Sequence, residues 1–243
     1  MESSGVGRRA FQSRGHDVVS CDLQDADDDG CGHISGDVFE TLDRLRDDGW
    51  IPDLAIFHPT CTYLTSSAEW AYGDGPYHQS VKPGTLVGAD RREARNAAID
   101  DVKRIWSLPI KRKAIENPRG VLSTRWRKPT QIIQPNWFGD DASKWTCLWL
   151  AELPPLVPGI QAKGRLVCPS CLSDYGYDAD FKCTGCGAPA VKFVERFSNQ
   201  TNSGQNRLPP GKSRWKDRSR SYECVYAAMA DQWGDPAPDL FSQ

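Results

Sequence analysis

The stretch DLAIFHPTC, residues 53–61, decides the fold class of this chain. After Asp53 the chain runs through apolar residues without the alternation of apolar and polar side chains that a half-exposed strand shows. Such a run is typical of a strand buried on both faces of a parallel sheet. It ends at His58-Pro59, so Cys61 is expected just past the carboxyl end of a central strand, where open α/β sheets bind their ligands.

Similar short runs with polar ends flank this strand. Two precede it and close on Asp22 and Asp37, and one follows it and ends in Glu116-Asn117. These three predicted strands lie at 18–21, 34–38 and 113–118. Helices are predicted between the strands, at 39–47 and 90–107. Strands that alternate with helices predict a doubly wound, Rossmann-like α/β sheet with its polar strand ends at one edge.

A glycine turn, Ser4-Gly5-Val6-Gly7, lies close to the amino terminus. Turns of this kind let the backbone approach a ligand and open a helix. Only four residues precede Gly5, so the strand that should lead into the turn is almost absent. Either that strand is very short or the sequence is truncated. Further along, helices are predicted around 143–150 and 222–233.

Four of the nine cysteines form two C-x-x-C pairs with eleven residues between the pairs. They are Cys168, Cys171, Cys183 and Cys186. Two such turns bring four thiolates to one tetrahedron, which predicts a structural zinc ribbon at 164–190, with iron as a weaker alternative. Because four protein ligands leave no open position, we expect no catalysis at the metal.

The net charge of -2 hides an uneven distribution. Acidic residues gather at 25–29, whereas 207–220 is basic and holds Asp217 alone among acids. The basic segment predicts either a DNA-contacting face or a solvated loop. No apolar run is long enough for a membrane span and no signal peptide is visible, so a cytoplasmic protein without a membrane partner is expected.

The order of these motifs resembles that of the DNA cytosine-5 methyltransferases, especially short phage-type members. The shared order is glycine turn, acid, Gly-Asp, Pro-x-Cys, Glu-Asn-Pro and Gln-x-Arg, and it runs from Glu2 to Trp233 with the cysteine-rich segment outside it. The chain departs from the family at Thr60, where a proline is usual, and at Pro118, where a valine is usual.

The resemblance implies roles for four catalytic residues. Cys61 would add to carbon 6 of cytosine and so make carbon 5 nucleophilic, a step that suits the most nucleophilic side chain near neutral pH. Glu116 would contact ring N3, and Asn117 would orient the loop. Arg207 would contact the flipped cytosine and a nearby phosphate. Without the resemblance, Cys61 would be interpreted as a buried structural thiol and Glu116 as a surface carboxylate.

The resemblance also implies an S-adenosylmethionine site and a DNA surface. In the donor site, Asp22 would bind the ribose hydroxyls and Asp37 the adenine amino group, although either aspartate also reads as a helix N-cap. The full predicted donor set is Ser4, Gly5, Gly7, Asp22, Leu23, Asp37, Val38 and Pro59. The predicted DNA-binding set is Gln205, Lys212, Arg214, Lys216, Arg218 and Arg220.

The implied domain division has three parts. A catalytic domain at 1–135 is followed by a small target-recognition-like region at 136–200, which contains the ribbon, and by a segment at 201–243 that completes the catalytic domain. Whether the ribbon contacts DNA or acts as a scaffold stays open, as does the oligomeric state.

Three alternatives to methylation of DNA stay open. If Arg218 or Arg220 pairs with an extra carboxylate on the donor, carboxy-S-adenosylmethionine would give 5-carboxymethylcytosine. The enzyme could instead modify a free cytosine nucleotide, because the recognition region is small. The non-enzymatic alternative is a DNA-binding zinc-ribbon protein on a decayed methyltransferase fold.

Overall fold

Helices and strands alternate through most of the chain, as a computed structural model shows for residues 2–77, 80–207 and 221–234. The helices are α1 (Val6–Gln12), α2 (Val38–Asp47), α3 (Gly88–Ser107), α4 (Leu122–Arg125) and α5 (Glu223–Trp233). The strands are β1 (Ser20–Asp22), β2 (His33–Ser35), β3 (Leu54–Phe57), β4 (Arg112–Pro118), β5 (Gln131–Ile133), β6 (Thr146–Ala151), β7 (Arg165–Val167) and β8 (Val194–Arg196). The protein is therefore of the mixed α/β class.

The strands of the described residues form three small sheets. The largest has the order β3-β4-β6-β5, in which β3 and β4 are parallel and the other neighbours are antiparallel. Strands β1 and β2 form a separate parallel pair, and β7 and β8 an antiparallel pair. Because β6 pairs with β4, the largest sheet continues past the predicted domain boundary at 135.

Both faces of the largest sheet are covered by helices, because successive residues of its central strands point to opposite sides. On one side, Ala114 and Leu148 pack in a cluster with residues of α1 and α5. On the other side, Ile115 and Trp149 pack with residues of α3. This layering fits the near-continuous apolar run of β6, since a strand buried on both faces needs no polar side.

The prediction of a helix around 143–150 is wrong, because residues 146–151 form β6. The sequence TCLWL is buried throughout, between β4 on one side and β5 on the other. A short apolar run without periodicity fits a buried strand as well as a helix, and here pairing with two neighbours decides for the strand. The elements predicted around 18–21, 34–38, 39–47, 53–57, 90–107, 113–118 and 222–233 are confirmed within a few residues.

Two further features concern the residues ahead of α1 and the character of the helices. The described residues ahead of Gly5 form no strand, and α1 begins at Val6. None of the described helices combines the length and the apolar character that a membrane span requires.

Candidate functional site

Cys61 lies in the turn that follows β3, and this turn is fixed to the end of β4. The side-chain amide of Asn117, which is buried, donates a hydrogen bond of 2.9 Å from Nδ2 to the backbone carbonyl of Pro59. Glu116 precedes Asn117 in β4, so the predicted nucleophile and the predicted acid lie at the ends of two neighbouring parallel strands. Cys61 itself is half-buried.

A second set of contacts joins the Cys61 turn to the loop after β4. The backbone N–H of Val121 donates to the carbonyl of Leu64 at 2.8 Å, and Thr65 forms a bridge with Gly120. A Cβ at position 120 would collide with the Leu64 carbonyl, so the close approach of the two loops requires glycine. Together with Asn117, these contacts hold the Cys61 turn from both sides.

Arg95 of α3 also contacts the Cys61 turn. Its guanidinium is almost fully buried and donates a hydrogen bond of 2.9 Å to the Tyr63 carbonyl. It also makes a bidentate ion pair with the Glu69 carboxylate, with both N–O distances at 2.8 Å. It also lies 3.2 Å from the ring centre of Tyr72. The ion pair raises the pKa of Arg95 and lowers the pKa of Glu69, so both groups stay charged. Arg95 is therefore a positioning residue for the Cys61 turn.

Glu116 has two neighbours that sequence patterns did not single out. His58 Nε2 lies 3.8 Å from Glu116 Oε2, and the same nitrogen is hydrogen-bonded to the hydroxyl of Tyr226 in α5. Tyr226 is buried, and burial, followed by the nearby charges of Glu116 and Glu2, raises the pKa of its hydroxyl well above the ordinary value. Tyr226 therefore stays protonated and links α5 to the strand ends.

A small cavity lies on the α5 side of Glu116. It has a volume of about 30 Å³ and is lined by Lys144, Tyr222 and Met229 among others. That volume holds about one water molecule.

The glycine turn is packed against acidic side chains. Gly5 has a positive φ of 69°, and a Cβ there would collide with the Asp28 carboxylate, so the position requires glycine. Asp28 forms ion pairs with Arg8 and Arg9 of α1. The Glu2 carboxylate accepts from the backbone N–H of Gly7 at 2.9 Å and so caps the start of α1.

Asp28 gives this region a dependence on pH. The hydrogen bond from Arg8 lowers the pKa of Asp28 from 3.8 to about 2, although partial burial opposes the shift. Since the pKa is lower in the folded state, the ionised carboxylate stabilises the fold above pH 3.8, and that contribution is lost as pH falls towards 2.

We expect Asp28→Asn to flatten the dependence of the unfolding free energy on pH between 4 and 2, as measured by urea unfolding. Asp29→Asn is the matched control, because the side chain of Asp29 is 82% exposed and lies 4.0 Å from Arg8. Equal slopes for the wild type and Asp28→Asn would contradict the assignment.

The two predicted donor aspartates lie at the ends of the parallel pair. Asp22 is the last residue of β1, and its Oδ1 accepts from the Gln24 N–H. Asp37 is exposed and caps α2, since its Oδ1 accepts from two backbone N–H groups of the first turn. The N-cap alternative is thus correct for Asp37, whose Oδ2 accepts no hydrogen bond from a described residue. Leu23 is 79% exposed beside Asp22.

Four cysteines form a cluster that could hold a metal ion. The Sγ atoms of Cys168, Cys171, Cys183 and Cys186 all lie within 4.8 Å of one another. Two pairs, Cys168 with Cys186 and Cys171 with Cys183, are 3.6 Å apart, which is far longer than a disulfide and close to the ~3.8 Å edge of a tetrahedron with Zn–S bonds of ~2.3 Å. The donor set is therefore consistent with structural zinc.

The backbone around Cys183 favours its thiolate. Burial opposes ionisation, but N–H groups of Gly185 and Cys186 donate to the sulfur, and the pKa of Cys183 falls to about 6. Deprotonated thiols are the form that binds metal.

The predicted DNA-contacting residues lie only partly within the described structure. Gln205 and Arg207 are exposed on a turn next to the ribbon, and the side chain of Arg207 makes no hydrogen bond or ion pair with another described residue. The structure does not bring Arg207 into contact with Cys61 or Glu116. Lys212, Arg214, Lys216, Arg218 and Arg220 lie outside the described residues.

The structure thus brings Pro59, Cys61, Glu116 and Asn117 together at two strand ends. Sequence patterns missed His58, Tyr226 and Arg95, although a histidine directly after a buried strand is a usable signal. Ser4 and Gly5 directly precede α1, Gly7 is its second residue, and Val38 is the buried first residue of α2. A scan against protein-family models and a search of curated proteins found no match for this chain.

Proposed function

We propose that this protein is a cytosine-5 methyltransferase-like enzyme that transfers a one-carbon group from S-adenosylmethionine to carbon 5 of a flipped cytosine in DNA. The finer description of its fold, a Rossmann-like methyltransferase sheet with a zinc-ribbon insertion, belongs to the same proposal. Cys61 is the nucleophile, and Glu116 is the group that contacts ring N3.

One observation carries the proposal: the Cys61 turn is fixed from both sides to the strand end that bears Glu116. A structural cysteine needs no such framework, whereas a nucleophile must be held in position against the group that assists it. Two hydrogen bonds hold the Cys61 turn in that position, one from Asn117 to the Pro59 carbonyl and one from the Val121 N–H to the Leu64 carbonyl.

The chemistry follows from this placement. The Cys61 thiolate adds to carbon 6 of the ring, and the carbon 5–carbon 6 π pair becomes the nucleophile at carbon 5. Glu116 hydrogen-bonds ring N3 as charge builds there. His58, whose Nε2 lies 3.8 Å from Glu116 Oε2 and is hydrogen-bonded to Tyr226, packs beside that carboxyl group. Carbon 5 would take the one-carbon group from the donor sulfonium, whose sulfur would keep the bonding pair and leave as a thioether. Transfer of the carbon 5 proton to water and departure of the Cys61 thiolate from carbon 6 would then restore the aromatic ring.

The donor would bind at the ends of β1 and β2, where it supplies an electrophilic one-carbon group. Asp22 and the free Oδ2 of Asp37 are acceptors suited to ribose hydroxyls and an amino group. Leu23 offers an exposed apolar surface for a purine ring. Because Asp28 lies against Gly5, the methionine part of the donor would have to share that end of the turn with a carboxylate.

DNA is the proposed substrate because the basic segment 207–220 offers charges that contact phosphates. A free nucleotide carries too few phosphates to use an extended basic segment. A DNA enzyme should therefore lose affinity steeply as salt rises, and a nucleotide enzyme should not.

Incubation of the full chain with cytosine-containing DNA and S-adenosylmethionine, followed by mass spectrometry of the nucleosides, tests the proposal. We expect 5-methylcytosine, and Glu116→Gln is expected to slow its formation by about 10²- to 10⁴-fold. Glu40→Gln is the matched control, because Glu40 is an exposed carboxylate on α2.

The same assay separates the alternatives. With both donors supplied, 5-carboxymethylcytosine as the main product would overturn the methyl assignment. Transfer to cytidine monophosphate but not to DNA would overturn the substrate. Absence of product on either substrate with either donor would favour a non-catalytic DNA-binding protein.

A further inference from the structure

Trp145 is the one exposed tryptophan among the residues that the structure describes. Its exposed fraction is 46%, whereas the other described tryptophans are half-buried or buried. A single exposed apolar side chain needs no explanation by itself, so the surroundings of Trp145 decide what it does. They consist of a sheet edge, a second tryptophan and several basic side chains.

Trp145 lies at the edge of the sheet that bears Cys61 and Glu116. Strand β6 is antiparallel to β4, and its first residue, Thr146, is paired with Pro118 at the end of β4. Trp145 directly precedes Thr146, so it lies where β4 ends. Since β3 and β4 are parallel, the Cys61 turn after β3 is at the same edge. The exposed indole is therefore part of the rim around the proposed site.

Neighbouring side chains hold the indole of Trp145 in place. The half-buried Trp137 meets it in a T-shaped contact, with ring centres 6.0 Å apart. The guanidinium carbon of Arg119, which follows β4, lies 5.6 Å from the centre of the Trp145 ring. A ring that is already held by its neighbours loses little conformational entropy when a ligand packs against it.

Asn199 connects the segment ahead of Trp145 to the turn that carries Arg207. Its side-chain oxygen accepts from the Ser143 N–H at 3.0 Å, and its side-chain nitrogen donates to the Ser143 carbonyl at 2.9 Å. The backbone N–H of Arg207 donates to the Asn199 carbonyl at 2.9 Å. Arg207 therefore belongs to the same part of the surface as Trp145.

Basic side chains thus accompany the exposed indole. Arg119 and Arg207 are exposed, and the half-buried Lys144 directly precedes Trp145. Proteins bind single-stranded nucleic acid with this combination, because bases stack on the aromatic ring and phosphates contact the cations. In a duplex each base is already stacked between its neighbours, and unstacking it costs free energy. An unpaired strand can offer a base to the ring without that cost.

We propose that Trp145 stacks on a nucleobase next to the target cytosine, and that the preferred substrate is single-stranded DNA whose phosphates contact Arg119, Lys144 and Arg207. The identity of the target rests on the proposed function, to which this inference adds the strand state and a residue that selects it. Trp145 binds the flanking base and takes no part in the transfer to carbon 5.

The test measures binding of the full chain to labelled oligodeoxynucleotides by fluorescence anisotropy, without donor. One strand carries a cytosine between ordinary bases, and a matched strand carries abasic sites on both sides of that cytosine. We expect Trp145→Ala to weaken binding of the first strand by about 5- to 150-fold, because stacking is lost. Binding of the abasic strand should stay nearly unchanged. Trp145→Phe keeps a ring and should retain most of the affinity.

Trp50→Ala is the matched control, because Trp50 is a half-buried tryptophan ahead of β3, at the opposite edge of the sheet. It should bind both strands as the wild type does. The wild type should also bind the single strand more tightly than the duplex of the same sequence, and Trp145→Ala should reduce that preference.

Equal losses on the two strands in Trp145→Ala would overturn the proposal, because they would indicate a structural role for the ring. Tighter binding by the wild type to the duplex, or to an RNA strand of the same sequence, would overturn it as well. If Trp145→Ala does not fold, the wild type decides, since equal affinity for the base-carrying and abasic strands would contradict stacking.

The binding measurement is separate from the proposed reaction. A wild type that distinguishes the two strands through Trp145 but forms no 5-methylcytosine would contradict the reaction and leave the stacking site in place. A wild type that forms 5-methylcytosine but binds both strands equally would contradict the stacking site alone.

Discussion

Replacing Cys61 by serine is expected to abolish covalent trapping of the protein on DNA that contains 5-fluorocytosine. The thiolate adds to carbon 6, and the one-carbon group goes to carbon 5. Because fluorine replaces the hydrogen on carbon 5, no proton can be lost there, and the enzyme stays bound to carbon 6. A serine hydroxyl is a far weaker nucleophile near neutral pH, so transfer to normal DNA should also fall by at least about 10³-fold. The adduct is measured as a band shift in denaturing gels.

Cys31→Ser is the control for this experiment, because Cys31 is an exposed cysteine outside the Cys61 turn. It should form the adduct as the wild type does. Thermal unfolding should show similar stability for both variants, since Cys61 is half-buried and serine is nearly isosteric with cysteine. An adduct that persists in Cys61→Ser, or its absence in the wild type with S-adenosylmethionine present, would contradict the assignment of the nucleophile.

The elements that carry the site were predictable because each is a short apolar run closed by polar residues. Asp22, Asp37, Cys61 and Glu116 all follow from that local pattern, and the structure places each at or near a strand end. The strand at 146–151 was not predictable, since a fully buried run lacks the periodicity that separates strands from helices.

Contacts between segments far apart in the chain could not be predicted from the sequence either. Tyr226 reaches His58 across 168 positions of the chain, and no local pattern marks it apart from other core residues of α5. The space of about 890 Å³ between β1 and β3 likewise follows from packing, and no local pattern marks it. Tertiary packing decides both features.

The segment 164–197, which contains the predicted ribbon at 164–190, has little apolar core to hold it together. Strands β7 and β8 have three residues each, and several large apolar side chains of this region are exposed, including Tyr175 at 84% and Phe181 at 66%. A segment with so small a core needs cross-links or a metal to fold. Binding of structural zinc supplies roughly 10–16 kcal/mol in comparable small domains, which is enough to fold the ribbon.

We therefore expect one zinc ion per chain by elemental analysis, and removal by a strong chelator should unfold the ribbon. Limited proteolysis should then cut within 164–197, whereas the sheet built on β3, β4 and β6 should stay protected, because its core is separate. Cys183→Ser should lose most of the bound zinc, since it leaves three ligands. Cys224→Ser changes a cysteine of α5 outside the cluster and should keep the zinc.

A ribbon that resists protease with no metal bound would overturn the assignment, as would equal zinc content in the two variants. Because four thiolates leave the ion no open position, chelation should weaken any binding that the ribbon contributes but leave the chemistry of Cys61 in place.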